Sequence, residues 1–134
     1  MFSEILWIPV IAAAVAAFVF GALWYTLLGK PWMKAAGLNE EDVKGGPGAP
    51  VMVMTFVCQV VIAIILSGVM YHAGGLNVRV GMISALLVWV GFILTTQIVN
   101  HRFQNRPWSL TAIDCGHWLG VLLIQGIVMG LIGA

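Results

Sequence analysis

The stretch ILWIPVIAAAVAAFVFGALWYTLL, residues 5–28, decides the fold, because it contains no charged side chain over a length that crosses a membrane. About 20 apolar residues in a helix span the ~30 Å hydrocarbon layer of a bilayer. The preceding MFSE, residues 1–4, carries an acid where a cleaved signal peptide has positive charge, and the apolar run is longer than a signal core. The sequence therefore predicts a retained transmembrane helix.

Three further apolar runs follow, at residues 51–71, 80–100 and 110–133. Each is long enough to cross a bilayer as a helix, whereas membrane strands are about half as long and alternate in polarity. The chain of 134 residues is 61% hydrophobic and only 8% charged, compared with about 25% charged in soluble domains. We predict one all-α domain over residues 1–134, an integral membrane four-helix bundle in contact with the lipid bilayer.

The basic residues predict the orientation of the bundle. With four spans, the connections 29–50 and 101–109 lie on one side, and both termini and the connection 72–79 lie on the other. The first side has five basic residues and the second has one: Lys30, Lys34, Lys44, Arg102 and Arg106 against Arg79. Because positively charged connections stay in the cytoplasm, we expect both termini to be extracytoplasmic.

The connection 29–50 is predicted to contain short interfacial helices. Pro31 suits a first helical turn, and Gly37 would end that helix. Asn39 can cap a second helix, whose first turn would hold the acidic residues 40–42 near the positive end of the helix dipole. The connection is interpreted either as a solvated linker or as a docking segment for a cytoplasmic partner.

Polar residues occur at a similar depth in all four spans, near the predicted cytoplasmic end. Asp114 is the most informative of them, because an acid at the centre of a span costs about 2.5–3.5 kcal/mol and inward-facing ionisable residues in membranes are candidate functional groups. Together these residues form a candidate polar pocket: Tyr25, Gln59, Thr96, Asn100, Asp114 and His117.

Two interpretations of Asp114 stay open. It can fasten helices together by pairing with Arg102 or Arg106, or by accepting hydrogen bonds from Thr96 and Asn100. Such polar pairs contribute about 0.6–2 kcal/mol. Alternatively, it belongs to a binding or proton-handling site.

Catalysis and metal binding are not expected. The sequence shows neither a nucleophile with its base and orienting acid nor a phosphate-binding loop. A metal site would require His101, Asp114 and His117 to converge, and we predict no metal, no cofactor and no enzymatic activity. The net charge of +1, without a basic stripe, excludes nucleic acid as an expected partner.

Small residues recur at four-residue spacing on the first and fourth spans, where they allow helix backbones to approach closely. The predicted packing residues are Ala13, Ala17, Gly21, Gly116, Gly120, Gly126 and Gly130. Contact within the bundle and contact with a second copy or a larger membrane complex are both possible interpretations.

Two segments, 18–42 and 91–119, resemble the domain of unknown function 1761 family of small bacterial membrane proteins. The similar residues are Gly21, Trp24, Tyr25, Gly29, Lys30, Trp32, Met33 and the LNEED run at 38–42, then Gly91, Phe92, Phe103, Ile113, Asp114 and Gly116. At position 117 the resemblance implies an aromatic hydroxyl, and this chain has His117. The resemblance implies a four-span bundle in a bacterial inner membrane and brings no assigned activity.

Two functional hypotheses follow. The protein binds or transports a small molecule through a cytoplasm-facing polar pocket, or it is a structural or accessory subunit that packs as a homo-oligomer or against a larger membrane complex.

Overall fold

The computed structural model describes residues 5–133, so the acid-bearing residues 1–4 lie outside it, as does Ala134. Its helices are α1 (Trp7–Leu27), α2 (Gly29–Ala36), α3 (Ala49–Ala73), α4 (Val78–Val88), α5 (Thr95–Phe103) and α6 (Trp108–Ile132). A π-helical segment, Trp89–Leu94, joins α4 and α5 into one continuous helix. In this part of the chain, four helices are long and apolar enough to cross a membrane, which confirms the predicted all-α, four-span fold.

The helix boundaries follow local sequence signals as well as hydropathy. The side chain of Asn77 accepts a hydrogen bond from the Val80 N–H at 2.9 Å and so caps α4. Pro50 lies in the first turn of α3, where its missing N–H costs nothing. The α6 helix begins after Pro107, without a side-chain cap. As a result, α3 and the α4–α5 helix extend beyond the apolar runs 51–71 and 80–100.

The contact between α6 and α4 depends on glycine. A Cβ added at Gly126 would lie 2.5 Å from the carbonyl oxygen of Gly81, and one added at Gly130 would lie 2.5 Å from the Val78 nitrogen. Both neighbours are backbone atoms, which cannot rotate away as a side chain can. The two helices are therefore packed backbone to backbone at these positions.

At the contact between α6 and α1, aromatic rings of α1 pack against glycines of α6. The ring of Phe20 occupies the space where a Cβ at Gly120 would be, and a Cβ at Gly116 would lie 2.9 Å from the ring of Trp24. All seven predicted packing residues lie at contacts or in the interior of the bundle. Ala13 and Ala17 are fully buried.

The two ends of the bundle differ in chemistry. An apolar core fills the end away from residues 29–48 and consists of Val10, Ala13, Ala63, Leu66, Met70, Ala85, Leu122 and Met129. Large apolar side chains also cover the outer surface, for example Ile8, which is 78% exposed, and Leu87, which is 68% exposed. Such an exterior suits a lipid solvent rather than water.

The connection between α1 and α3 contains one helix, not two. The α2 helix ends at Gly37, whose φ of 73° is left-handed, as predicted. Residues 40–45 form turns, so the prediction of a second helix capped by Asn39 was wrong. Asn39 and Asp42 instead bond reciprocally, each side chain accepting from the other's N–H at 3.0 and 2.8 Å. The glycines at 45–48 adopt positive φ and end the turn before a helix can propagate.

Candidate functional site

A cavity of about 1020 Å³ lies between α1, α3 and α6, beneath the connection that follows α2. It is at the end of the bundle opposite the apolar core. The lining is mostly apolar with a few polar groups: Phe18, Gly21, Ala22, Tyr25, Thr26, Gly29, Trp32, Met33, Asp42, Val43, Gly46, Pro47, Val51, Met52, Thr55, Gln59, Gln97, Asp114, His117 and Trp118. Four of the six predicted pocket residues, Tyr25, Gln59, Asp114 and His117, are among them.

Asp114 bonds to α1 and faces the cavity. The Tyr25 hydroxyl donates to Asp114 Oδ1 at 2.7 Å. On the opposite side, His101 Nε2 lies 4.0 Å from Asp114 Oδ2. The Asp114 side chain remains 22% exposed, so these contacts do not enclose it. Asp114 therefore fastens α6 to α1 and still presents part of its carboxylate to the cavity.

The arginines predicted as partners of Asp114 bond elsewhere. Arg102 Nη2 donates to the Arg106 carbonyl at 2.9 Å and to the Thr111 hydroxyl at 2.8 Å. Arg106 Nη1 donates to the Ala36 carbonyl at 3.0 Å. Because Ala36 ends α2, this bond satisfies a carbonyl that lacks a partner within the helix. The predicted pairing of Asp114 with either arginine was wrong.

Thr96 and Asn100 were wrongly assigned to the pocket. Both are exposed, and the Thr96 hydroxyl donates to the Phe92 carbonyl of its own helix at 2.6 Å. The π-helical segment 89–94 changes the phase of the residues that follow it, because i→i+5 bonding adds a residue to the turn. Gln97, which was not predicted, lines the cavity instead.

His117 is packed among aromatic rings and is 6% exposed. Its ring centroid lies 4.9 Å from that of Tyr25 and 4.6 Å from that of Trp118, and its plane is within 8° of that of Phe20. Gly21 makes this position possible, since a Cβ there would lie 2.8 Å from His117 Nε2. The Nδ1 atom has no hydrogen-bond partner among the described residues.

A glutamine pair closes the cavity toward the apolar core. Gln125 Nε2 donates to the backbone carbonyl of Gln59 at 3.0 Å and to its side-chain oxygen at 3.2 Å. Both glutamines are at most 1% exposed. A buried amide in a span needs such a partner, so this pair fixes α3 against α6 at the floor of the cavity.

Two indoles donate to the backbone of α6, and no sequence pattern predicted them as its partners. Trp24 Nε1 donates to the Ile113 carbonyl at 3.1 Å, and Trp89 Nε1 donates to the Cys115 carbonyl at 2.8 Å. The sequence signal for such a bond is a tryptophan inside a span, because a buried indole N–H usually finds an acceptor. These bonds fix α6 beside Asp114.

No group of three or more His, Cys, Asp or Glu side chains between residues 5 and 133 is arranged to hold a metal ion. His101 approaches Asp114, as the metal hypothesis required, but His117 is packed against the rings of Phe20 and Trp118.

The fold and the cavity define a helical protein with four potential membrane spans, whose polar side chains gather around a cavity at one end. The chain belongs to the family described as Protein of unknown function (DUF1761), whose model matches residues 8–130. This confirms the resemblance seen in the sequence. No curated protein and no solved structure matches the chain. Because the family description states no activity, the chemistry of the cavity is the basis for a functional proposal.

Proposed function

We propose that this membrane protein binds a small molecule in the cavity between α1, α3 and α6. The observation that carries the proposal is the cavity itself. Its volume of about 1020 Å³ is at the upper end of the usual range for ligand sites, about 300–1,000 Å³. Such sites are mostly apolar with a few well-placed polar groups, and this lining has that composition.

The position of Asp114 supports binding in addition to fastening. A carboxylate that served only to join two helices would need no access to a cavity. Here the carboxylate is bonded to Tyr25, is 22% exposed and borders the cavity with Tyr25 and His117. A ligand in the cavity would therefore meet a carboxylate already oriented by a hydrogen bond.

We also propose that the cavity faces the cytoplasm of a bacterial cell, with both termini on the other side of the inner membrane. The cavity lies at the end of the bundle that carries residues 29–48. The excess of basic residues in the connections at that end supports this orientation. Binding from the cytoplasm is compatible with a transport cycle or with sensing, and we propose binding rather than catalysis.

An accessory role as a homo-oligomer or in a larger complex has less support. The small residues that favoured this role form contacts within the chain. Aromatic rings of α1 pack against Gly116 and Gly120, and the backbone at the start of α4 packs against Gly126 and Gly130. These glycines of α6 are thus already packed against other helices in the single chain. Native mass measurement in a mild detergent tests the alternative directly, since an accessory subunit would be found with a second copy or a different protein.

Native mass spectrometry also tests ligand binding, through two matched tryptophan variants. Thr55 lines the cavity, whereas its neighbour Met54 is 58% exposed on the outer surface. We expect the protein purified from membranes to retain a bound small molecule, Thr55→Trp to lose it, and Met54→Trp to keep it. Absence of a bound molecule, or equal retention in both variants, would contradict the proposal.

Asp114→Asn separates the two roles of the carboxylate. The amide keeps an oxygen that can accept from Tyr25 but removes the charge. We expect ligand retention to fall while the folded protein remains in the membrane. Joint loss of folding and binding would indicate that Asp114 only fastens α1 to α6.

A further inference from the structure

We propose that the cavity recognises an ammonium group carried by an otherwise apolar molecule, either a free amphipathic amine or the headgroup of a lipid. This inference rests on the proposed function and names the class of its ligand. Three features of the lining support it: the sign of its charge, its aromatic faces and its apolar remainder.

The charge of the lining favours a cation. Two carboxylates, Asp42 and Asp114, border the cavity, and among the described lining residues there is no lysine or arginine. Two basic residues of the neighbouring helix α5, Arg102 and His101, lie outside this lining. Arg102 donates to a carbonyl and a hydroxyl and lies 3.6 Å above the Trp108 ring, and His101 approaches Asp114 from outside the lining. A carboxylate in low-dielectric surroundings attracts a cation more strongly than one in water.

Aromatic rings line the cavity that Asp114 borders. Tyr25, Trp32, Trp118 and Phe18 all line the cavity. The rings of Tyr25 and Trp32 meet edge to face, with centroids 5.8 Å apart and planes at 77°, so they form two walls of a corner. Ammonium groups bind over aromatic faces through the ring quadrupole, and cages of such faces are the usual sites for quaternary ammonium ligands.

The rest of the wall is suited to hydrocarbon. Met33, Val43, Pro47, Val51 and Met52 enclose the side of the cavity formed by α2, the connection and the start of α3. Burial of alkyl or aryl groups here would gain about 25 cal/mol per Å² of apolar surface. A carboxylate, an aromatic corner and an apolar wall together match an amphipathic ammonium compound.

A matched pair of compounds tests this class. Benzyltrimethylammonium and neopentylbenzene have the same shape and differ in a single central atom, which makes one cationic and the other neutral. The Thr55→Cys change, in a Cys58→Ser background, places a thiol in the cavity wall. Its rate of labelling by methyl methanethiosulfonate, a small uncharged reagent, reports whether the cavity is occupied. The protein is held in nanodiscs of phosphatidylglycerol, which has no ammonium group.

We expect benzyltrimethylammonium to slow labelling about tenfold at saturation, and neopentylbenzene to slow it much less. Asp114→Asn should raise the half-protecting concentration of the ammonium compound by about tenfold. Equal protection by both compounds would overturn the ammonium inference and leave the proposed function standing. Absence of protection by either compound, together with no bound molecule in native mass spectrometry, would overturn both.

Trp32→Leu is a second variant that does not alter Asp114. It removes one wall of the aromatic corner, and Trp7→Leu is its control, since Trp7 is 50% exposed at the far end of α1. We expect Trp32→Leu to weaken protection by the ammonium compound severalfold, and Trp7→Leu to leave it unchanged. Equal effects of the two changes would contradict a cation site at Trp32.

The source of the ammonium group is distinguished by lipid composition. If the natural ligand is a headgroup, nanodiscs that contain phosphatidylethanolamine should protect the thiol without any added compound. If it is a free amine, labelling should be as fast as in phosphatidylglycerol alone, and only the added ammonium compound should protect. Each result supports ammonium recognition and assigns its source.

Discussion

Gly126→Ala is expected to destabilise the bundle by forcing α6 away from α4. The added Cβ would lie 2.5 Å from the Gly81 carbonyl oxygen, 2.8 Å from its carbon and 3.1 Å from its Cα. An ordinary contact begins near 3.4 Å, so the two backbones would have to separate by about 0.9 Å. Overpacking of this kind costs about 1–3 kcal/mol, while alanine returns about 1 kcal/mol of helix propensity. The net expectation is a loss of up to about 2 kcal/mol.

Gly68→Ala is the matched control, because Gly68 is inside a helix and a Cβ there meets nothing within 4 Å. This change should raise the free energy of unfolding by about 0.5–1 kcal/mol. Reversible unfolding of the purified protein in mixed micelles of mild detergent and dodecyl sulfate measures both. If Gly126→Ala were as stable as Gly68→Ala, α4 and α6 would not be packed backbone to backbone.

Three further changes test individual contacts by the same unfolding measurement. Tyr25→Phe removes the O–H that donates to Asp114 and should cost about 0.6–2 kcal/mol; an unchanged free energy of unfolding would contradict a stabilising bond at this position. Gly21→Ala should cost about 1–3 kcal/mol because its Cβ meets His117 Nε2 at 2.8 Å. That cost should largely disappear in a His117→Ala background, and an unchanged cost would place the clash elsewhere. Trp89→Phe deletes an indole donor to α6 and should cost about 1 kcal/mol, and an unchanged stability would contradict that bond.

The four helices could be predicted because hydropathy alone determines where a chain crosses a bilayer. The predicted helix boundaries were less accurate. Asn77 caps α4 before the apolar run 80–100 begins, and His101 and Arg102 lie in the last turn of α5, after that run ends. Helix caps and hydrogen bonds fix these ends, and an apolar window does not detect them. Residues 40–45 form turns instead of the predicted second helix, because the glycines between positions 45 and 48 adopt positive φ and end the segment.

The sequence predicted which polar residues lie near the cytoplasmic end of the spans, but it did not predict the contacts between them. Equal depth brought Tyr25, Asp114 and His117 to the same end of the bundle, but depth does not specify rotation about each helix axis. The π-helical segment before Thr96 changed that rotation, and no periodicity in the sequence indicates it. Which residue pairs with Asp114 depends on how the helices are rotated about their axes, and for this reason the partner is Tyr25 and not either predicted arginine.

We propose that one end of this bundle encloses a cavity open to water on the side of the membrane that carries residues 29–48. Labelling with a membrane-impermeant, water-soluble thiol reagent in oriented vesicles tests it most directly, using Thr55→Cys, Met54→Cys and Lys44→Cys in a Cys58→Ser background. We predict that the thiols introduced at positions 55 and 44 react from the same face and that the thiol at 54 does not react. A thiol at 55 that stays unreactive from both faces, or reacts no faster than the one at 54, would contradict the claim.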